Sequence, residues 1–273
     1  MAAVSRRIRL AVCSTYRDGE EYLPEWIEFH RLVGVERFFL YDNGSTGNHL
    51  EVLAPYLEDG IVLVHEWPGV ARQHAAYEDC IHRHREDADW IAFIDVDEFL
   101  FSPGGRTVTE RLREFEAYPA VGVNQAVFGT SGHVARPEGL VIENYLYRRQ
   151  AHARWIKSIV QPARTVSNIG AHTFVYEGGA QAVDALKRPL AGHLTESTTL
   201  RGLRINHYYT KSLDEYRTKR ATPRPDTGEL REPIDFDRMV EFERRYVRDE
   251  RILIYLDDLK QALSRYGERV VTQ

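Results

Sequence analysis

A chain of 273 residues with 43% hydrophobic side chains can bury a sizeable core, and it reads as one large domain or a domain with an appended region. Its formal charge of −5 and pI near 6.1, with acids and bases mixed throughout, exclude a global basic field and so a nucleic-acid partner. Cys13 and Cys80 both lie in apolar patterns, which argues for core packing in a reducing compartment and against a disulfide framework. The basic residues 1–7 lead only into a short apolar stretch, and no run reaches membrane length, so the expectation is a cytoplasmic protein or one peripheral to the inner membrane.

The first hundred residues alternate strand and helix. Residues 8–13 read as a buried strand. Residues 22–33 read as a helix, with Leu23, Trp26, Ile27 and Val33 at helical spacing, Pro24 in the first turn and Gly34 as the stop. A second strand over 37–41 runs into the turn Asp42-Asn43-Gly44-Ser45, followed by a helix over 49–57 and a third strand over 61–65. Residues 70–84 have Tyr77, Cys80, Ile81 and His84 on one helical face, and 90–94 form the fourth strand. This alternation predicts parallel strands joined by helical crossovers. In such open sheets ligands bind beyond the carboxyl ends of the strands. Here those ends carry Ser14-Thr15-Tyr16-Arg17, Asp42-Asn43, Glu66 and Asp95-Val96-Asp97, which places polar and acidic residues along one edge.

Beyond Phe101 the pattern changes. A short helix is expected over 108–115. Strands over 121–128 and 140–147 would flank a Gly129-Thr130-Ser131-Gly132-His133 turn, whose glycines also suit a wall for an acceptor. Further strands are expected over 156–161, after the turn at 169–174, and over 204–209. Residues 177–204 carry few periodic cues. Helices follow over 213–220, 236–246 and 252–266, with a loop at 222–226. The expected organisation is a domain over 1–220 and a helical extension over 221–273 packed on it.

The most informative segment is Trp90-Ile91-Ala92-Phe93-Ile94-Asp95-Val96-Asp97-Glu98-Phe99-Leu100-Phe101. In an extended chain Asp95 and Asp97 point the same way, Val96 turns into the core, and Glu98 falls on the opposite face as a salt-bridge residue. Two adjacent carboxylates repel unless a cation lies between them. An oxygen-rich site of this kind suits Mn2+ or Mg2+. The plainer alternative is a solvated acidic turn.

Three stretches carry a resemblance: Thr15-Tyr16-Arg17-Asp18-Gly19-Glu20-Glu21-Tyr22-Leu23-Pro24-Glu25-Trp26, Phe39-Leu40-Tyr41-Asp42-Asn43-Gly44-Ser45-Thr46 and Asp95-Val96-Asp97. Together they resemble the GT-A glycosyltransferases, and residues 8 to about 220 are similar to glycosyltransferase family 92 and its bacterial family-2-like relatives. The resemblance implies a Rossmann-like α/β fold with a mixed, mainly parallel sheet flanked by helices. It implies transfer of a hexose from a UDP- or GDP-sugar to a carbohydrate or glycan acceptor, with Mn2+ or Mg2+ bound. It also implies that Asp95 faces the ribose or a metal-bound water and that Asp97 ligates the metal. The late histidine ligand of such enzymes falls on His207, with His172 the runner-up.

The same resemblance gives Asp42 a contact to the nucleobase or ribose, and Arg72, beside Gln73, a contact to the donor. Thr15 and Arg17 follow the first strand and can reach the base or phosphate. Lys211 can reach the diphosphate as a point charge, with Arg154, Lys157 and Lys219 as lesser candidates. A base for the acceptor hydroxyl can come from Glu143, Glu177, His133 or His172, and no spacing selects among them. Two rival readings remain, a phosphatase of the haloacid dehalogenase type and a nucleotide- or carbohydrate-binding module without turnover.

Overall fold

The computed structural model describes residues 7–271. Strand β1 (Ile8–Tyr16) is a central strand, and its side chains alternate between two core clusters. Leu10 and Val12 join the larger cluster, while Ala11 and Cys13 join the smaller one on the other face. It pairs in parallel with β2 (Arg37–Asp42) and β4 (Ala88–Phe93), and β2 pairs in parallel with β3 (Val62–Glu66). Helices α1 (Leu23–Leu32), α2 (His49–Glu58) and α3 (Gln73–Arg83) make the crossovers.

A second half is added to this parallel half. It comprises β5 (Glu98–Phe101), α4 (Val108–Leu112), β6 (Ala120–Val127), α5 (Val141–Asn144), β7 (Tyr147–Arg148), β8 (Ala153–Val160), β9 (Thr165–Asn168), β10 (Phe174–Tyr176), β11 (Val183–Asp184) and β12 (Arg204–His207). Among the described residues the main sheet runs β3-β2-β1-β4-β8-β6-β12-β5, with β11 on β6. The order changes character at β4, where the next neighbour, β8, is antiparallel. This is the mixed, mainly parallel sheet flanked by helices that the sequence leads one to expect of the GT-A type.

The chain ends with α6 (Leu213–Ala221), α7 (Phe236–Glu243), β13 (Val247–Arg248), which pairs with β7, and α8 (Leu256–Val271). Ile252 and Leu259 enter the larger core cluster. The Tyr266 ring stacks on Tyr56 at 5.1 Å and its hydroxyl donates to the Val52 carbonyl at 2.8 Å, fixing α8 against α2. Cys13 and Cys80 are free and buried, in the same small cluster. Among the described residues no helix is long and apolar enough to cross a membrane.

Three expectations need correction. The third crossover helix begins at Gln73 rather than at residue 70, because Gly69 (φ 130°) and Ala71 (φ 54°) hold the backbone out of the helical region. Residues 140–146 are not a strand, and only the two-residue β7 at Tyr147 meets the chain before 129, through the Phe128–Arg148 bridge. The Glu25 carboxylate, buried in α1, accepts the Val141 and Ile142 N–H groups at 2.8 and 3.0 Å and starts the short helix α5 instead. Finally, β8 begins three residues early, at Ala153, through a bulge opposite Asn124 and Gln125.

Glu25 yields a stability prediction. Burial raises its carboxyl from 4.5 to about 7, against the opposing pull of the two N–H donors. A folded-state value above the unfolded one means the native state binds the proton more tightly. The stability this contributes is complete below pH 4.5 and is lost as pH rises through about 7. The stability of the parent relative to Glu25→Gln should therefore fall across that window. Urea midpoints for both proteins at half-unit pH steps test this, and parallel curves would remove Glu25 from the account.

Candidate functional site

The site is built where β4 ends. The strand stops at Phe93, and the chain turns, with the Glu98 N–H donating to the Asp95 carbonyl at 3.0 Å. The acids are thus gathered round a turn rather than along an extended strand. This corrects the expected place of Glu98, which does not point to the opposite face. It is fully buried, its Oε2 accepts the Asp95 N–H at 2.9 Å, and it lies 3.4 Å from Lys157 Nζ.

Each acid is met by a group from a distant element. Asp95 Oδ1 accepts from Gln73 Nε2 at 2.9 Å, from the first turn of α3, and lies 3.5 Å from the Tyr77 hydroxyl. Asp95 Oδ2 accepts from Lys157 Nζ at 2.7 Å, from β8. Asp97 Oδ2 accepts from Lys219 Nζ at 2.6 Å, from α6, and the same ammonium reaches the Tyr209 carbonyl at 3.0 Å. α6 is placed by a reciprocal cap between Ser212 and Glu215. Strand β12 lies between β5 and β6 with His207 level with Glu98, and this sets His207 Nε2 3.4 Å from Asp97 Oδ1.

The charges decide the protonation states. Burial works to raise Asp97, but Lys219 and His207 outweigh it and hold the carboxyl well below its usual range. Burial acts the same way on Asp95, and Lys157 overcomes both it and the neighbouring Asp97 to keep this carboxyl low. Burial dominates at Glu98 and raises it to about 7, with Lys157 pulling the other way. Lys157 is itself desolvated, but Asp95 and Glu98 hold its ammonium above the ordinary lysine value.

One pair of atoms bears on a metal. His207 Nδ1 lies 2.9 Å from the Gln125 amide oxygen, which can only accept. In the neutral ring Nδ1 then carries the proton and Nε2 presents its lone pair to Asp97 Oδ1, a buried oxygen with no hydrogen-bond partner. Two lone pairs facing at this distance suit an electropositive group between them. The carboxylate oxygen suits Mn2+ or Mg2+, and the imidazole nitrogen, oriented by a second contact, suits a transition metal, so the pair fits Mn2+ better than Mg2+. Among the described residues no group of three His, Cys, Asp or Glu side chains is arranged round one metal position.

The other anticipated residues scatter. Thr15, half-buried, and Asp42 end β1 and β2 side by side, one register position apart. Asp42 Oδ1 accepts the Ser45 N–H at 2.9 Å and the Ser45 hydroxyl at 2.6 Å, and Oδ2 faces His49 Nε2 at 3.4 Å, so the carboxylate braces its own turn. Arg17 is exposed beside Asp18. Arg72 caps α3, and its guanidinium lies over Trp67 while Gln73, the next residue, reaches Asp95. Lys211 sits 3.1 Å from the centroid of the Tyr22 ring, and burial lowers its ammonium to about 8 against the pull of Asp97. Glu66 is exposed at the end of β3, and Arg154 donates to the Thr195 carbonyl.

The four base candidates do not converge. Glu143 pairs with Lys260 at the surface, Glu177 pairs with Arg85, and His133 Nε2 is 3.3 Å from the Asn144 carbonyl. His172 holds the Ile156 carbonyl through Nδ1 at 2.7 Å, and burial and Lys157 lower it to about 4. Of the four, it is the one close enough to the acid turn to feel both Lys157 and Asp95.

Residues beyond α6 fold over this edge. The Gln73 N–H donates to the Pro225 carbonyl at 3.3 Å, and Arg231 ties the Lys219 and Thr222 carbonyls together at 2.9 Å each. Gly228, at φ 74°, lies so close to Val70 that a Cβ would approach it to 2.4 Å. Gln125 and Tyr77 had no signal of their own as site residues in the sequence, because their partners, His207 on β12 and Asp95 in the acid turn, lie on other elements.

The model for glycosyltransferase family 92 matches residues 8–252, and the chain belongs to that family. A family 92 protein of Oryza sativa subsp. japonica is 35% identical over 176 residues, 62% of this chain and 30% of that protein. The galactan beta-1,4-galactosyltransferase GALS2 of Arabidopsis thaliana is 35% identical over 113 residues, 38% of this chain and 22% of that protein. The chain thus spans less than a third of the length of either relative. Among solved structures, S. aureus TarS (1-349) shares 12% identity over 57% of this chain and 47% of that one, with a TM-score of 0.37, a loose likeness only.

The Lys157 ammonium is the test of how the acid turn is held. Lys157→Met should leave Asp95 and the buried Glu98 facing each other and cost about 3–5 kcal/mol. Chemical denaturation of parent and variant at pH 8 measures it, and an unchanged midpoint would show that Lys157 is not what steadies the turn.

Proposed function

We propose that this member of glycosyltransferase family 92 transfers a hexose from a nucleoside diphosphate donor to a hydroxyl group of a glycan, with Mn2+ or Mg2+ held by Asp97 and His207. The observation that carries the reading is the facing pair of Asp97 Oδ1 and His207 Nε2, 3.4 Å apart, at the carboxyl edge of a mainly parallel sheet. The bound cation would supply charge neutralisation for the departing diphosphate. The chain's own residues do the rest. Asp95, fixed between Gln73 and Lys157, is placed to accept hydrogen bonds from a ribose or a bound water. Lys219 and Lys211 bring positive charge to the same edge, where phosphate oxygens gather it. On this reading Thr15, one strand from the acids, and the braced Asp42 turn, two strands away, would receive the nucleoside.

In the transfer the acceptor oxygen bonds to the anomeric carbon as the bond from that carbon to the diphosphate breaks. The nucleoside diphosphate leaves with the electron pair, and the acceptor proton passes to the departing diphosphate or to water. The residues folded over the edge between Lys219 and Arg231 help keep water from taking the acceptor's place. A β-1,4-galactan chain is the first acceptor to try, because one relative is named for galactan β-1,4-galactosyl transfer. Family membership leaves the phosphatase reading without support, and the acid turn follows the fourth strand rather than the first.

Calorimetric titration with UDP and GDP, with and without Mn2+ or Mg2+, tests the proposal. One diphosphate should bind only with the cation, and Asp97→Ala and His207→Ala should each weaken that binding by about tenfold or more, the loss of one ligand to the ion. Cation-independent binding that both variants keep would overturn the metal assignment.

A further inference from the structure

Beside the acid turn stands an aromatic ring that the donor reading does not use. Trp155 is 49% exposed, whereas Trp26 and Trp90 are buried and Trp67 is half-buried beneath Arg72. Fully paired strands alternate their faces, but Trp155 lies in the bulge of β8, where Gln125 pairs with Ala153 and Asn124 with Ile156. Bulges re-aim side chains, and they concentrate next to active sites. This one is held deliberately. The buried Asn124 amide lies 3.3 Å from the carbonyls of Ala153 and Arg154 and donates to the Thr195 hydroxyl oxygen at 2.9 Å. Arg154 ties the same segment to the Thr195 carbonyl at 2.6 Å.

The ring is also oriented. His193 stacks on it at 4.6 Å with an interplanar angle of 22°, and His172 meets it at 5.5 Å. His172 links the ring to the acid turn, since its Nδ1 lies 2.7 Å from the carbonyl of Ile156, the residue between Trp155 and the Lys157 that holds Asp95. The register gives the same answer. Ala92 pairs with Ile159 across β4 and β8, so the antiparallel run carries Trp155 to the level at which β4 has given way to Asp95. The ring therefore lies at the binding edge, on the side of the acids away from β1 and β2. The neighbouring Leu194, 40% exposed, extends the apolar surface.

We propose that Trp155 is the stacking platform of an acceptor subsite that takes a pyranose ring of a glycan. A sugar ring has an apolar face of C–H groups that lies flat on an indole, and its hydroxyls then reach the surrounding polar groups. The histidine imidazoles of His172 and His193 and the Arg154 guanidinium supply such groups at the rim. The inference rests on the glycosyltransferase reading for the identity of its ligand, and it deepens that reading by giving the acceptor a place distinct from the donor's.

The experiment follows the indole N–H signal of Trp155 by two-dimensional NMR in the 15N-labelled chain, assigned through Trp155→Phe. β-1,4-galactotetraose, cellotetraose and mannotetraose are added in turn, alone and with UDP and Mn2+. At least one saccharide should shift or broaden the Trp155 signal, and UDP with Mn2+ alone should not. Trp155→Ala should weaken the binding of that saccharide by about tenfold, Trp155→Phe should keep most of it, and the UDP dissociation constant should stay where it is in both. A signal unmoved by all three saccharides overturns the proposal, and so does a Trp155→Ala variant that binds them as the parent does. A shift with UDP alone would give the ring to the nucleobase instead. Diphosphate binding in the parent is read separately by calorimetry, so the donor assignment and the Trp155 assignment fail independently.

Discussion

Three carboxylates, Asp95, Asp97 and Glu98, are crowded into one turn at the end of a buried strand, and the rest of the site follows from how that crowding is relieved. Like charges this close, with Glu98 wholly buried and Asp97 nearly so, cannot all stay ionised unless cations meet them. The chain brings two such cations from distant places, Lys157 on β8 and Lys219 on α6, and sets the His207 ring of β12 against Asp97. The antiparallel half of the sheet is therefore not an appendage to the parallel half. It is what makes an acid turn tolerable at that edge. Glu98 shows the limit of the compensation, because it alone is raised, to about 7, and its backbone hydrogen bond closes the turn.

The change in strand direction at β4 gives the site its two sides. On the parallel side, β1 and β2 end in Thr15 and in an Asp42 whose carboxylate is locked by Ser45, a rigid floor rather than a mobile acid. On the antiparallel side, β8 starts at the edge where β4 finishes, and its bulge turns Trp155 outward. A ligand lying across the acid turn meets polar backbone ends on one side and an aromatic surface on the other. On the proposed reading, the same asymmetry would serve a reaction that joins a nucleotide-bound sugar to a second sugar.

The features legible in the sequence were those written in local pattern. The strands and helices of the first hundred residues follow apolar periodicity, and Asp95 and Asp97 advertise themselves by position. Their partners are not legible, because Lys157 is 62 residues from Asp95, Lys219 is 122 from Asp97, and Gln125 is 82 from His207. No window reading links residues that far apart. The misread segment over 140–147 has the same origin. Its apolar spacing through Val141 and Ile142 permits a strand, but the deciding group is the Glu25 carboxylate 116 residues upstream, which satisfies the first N–H groups of a helix. The placement of Glu98 failed for a different reason. Alternation holds only while the chain is extended, and the hydrogen bond from the Glu98 N–H to the Asp95 carbonyl ends the extension within the motif itself.

The two oxygens of Asp97 have different tasks, and the difference bears on how the proposed ligands bind together. Oδ2 is already engaged by the Lys219 ammonium, whereas Oδ1 is buried and unpartnered opposite His207. On the proposed reading a divalent ion arriving at Oδ1 need not displace Lys219, but it meets a carboxylate whose charge is largely compensated, with Lys157 close by. Such a place holds a bare cation weakly. A bare diphosphate gains little there either, since the Lys157 and Lys219 ammoniums are already engaged by the carboxylates. Arriving together, the cation and the diphosphate cancel each other's penalty, and each raises the affinity for the other by the same factor. On the same reading, the lysines that steady the acid turn would also make the site respond to the pair of ligands rather than to either one.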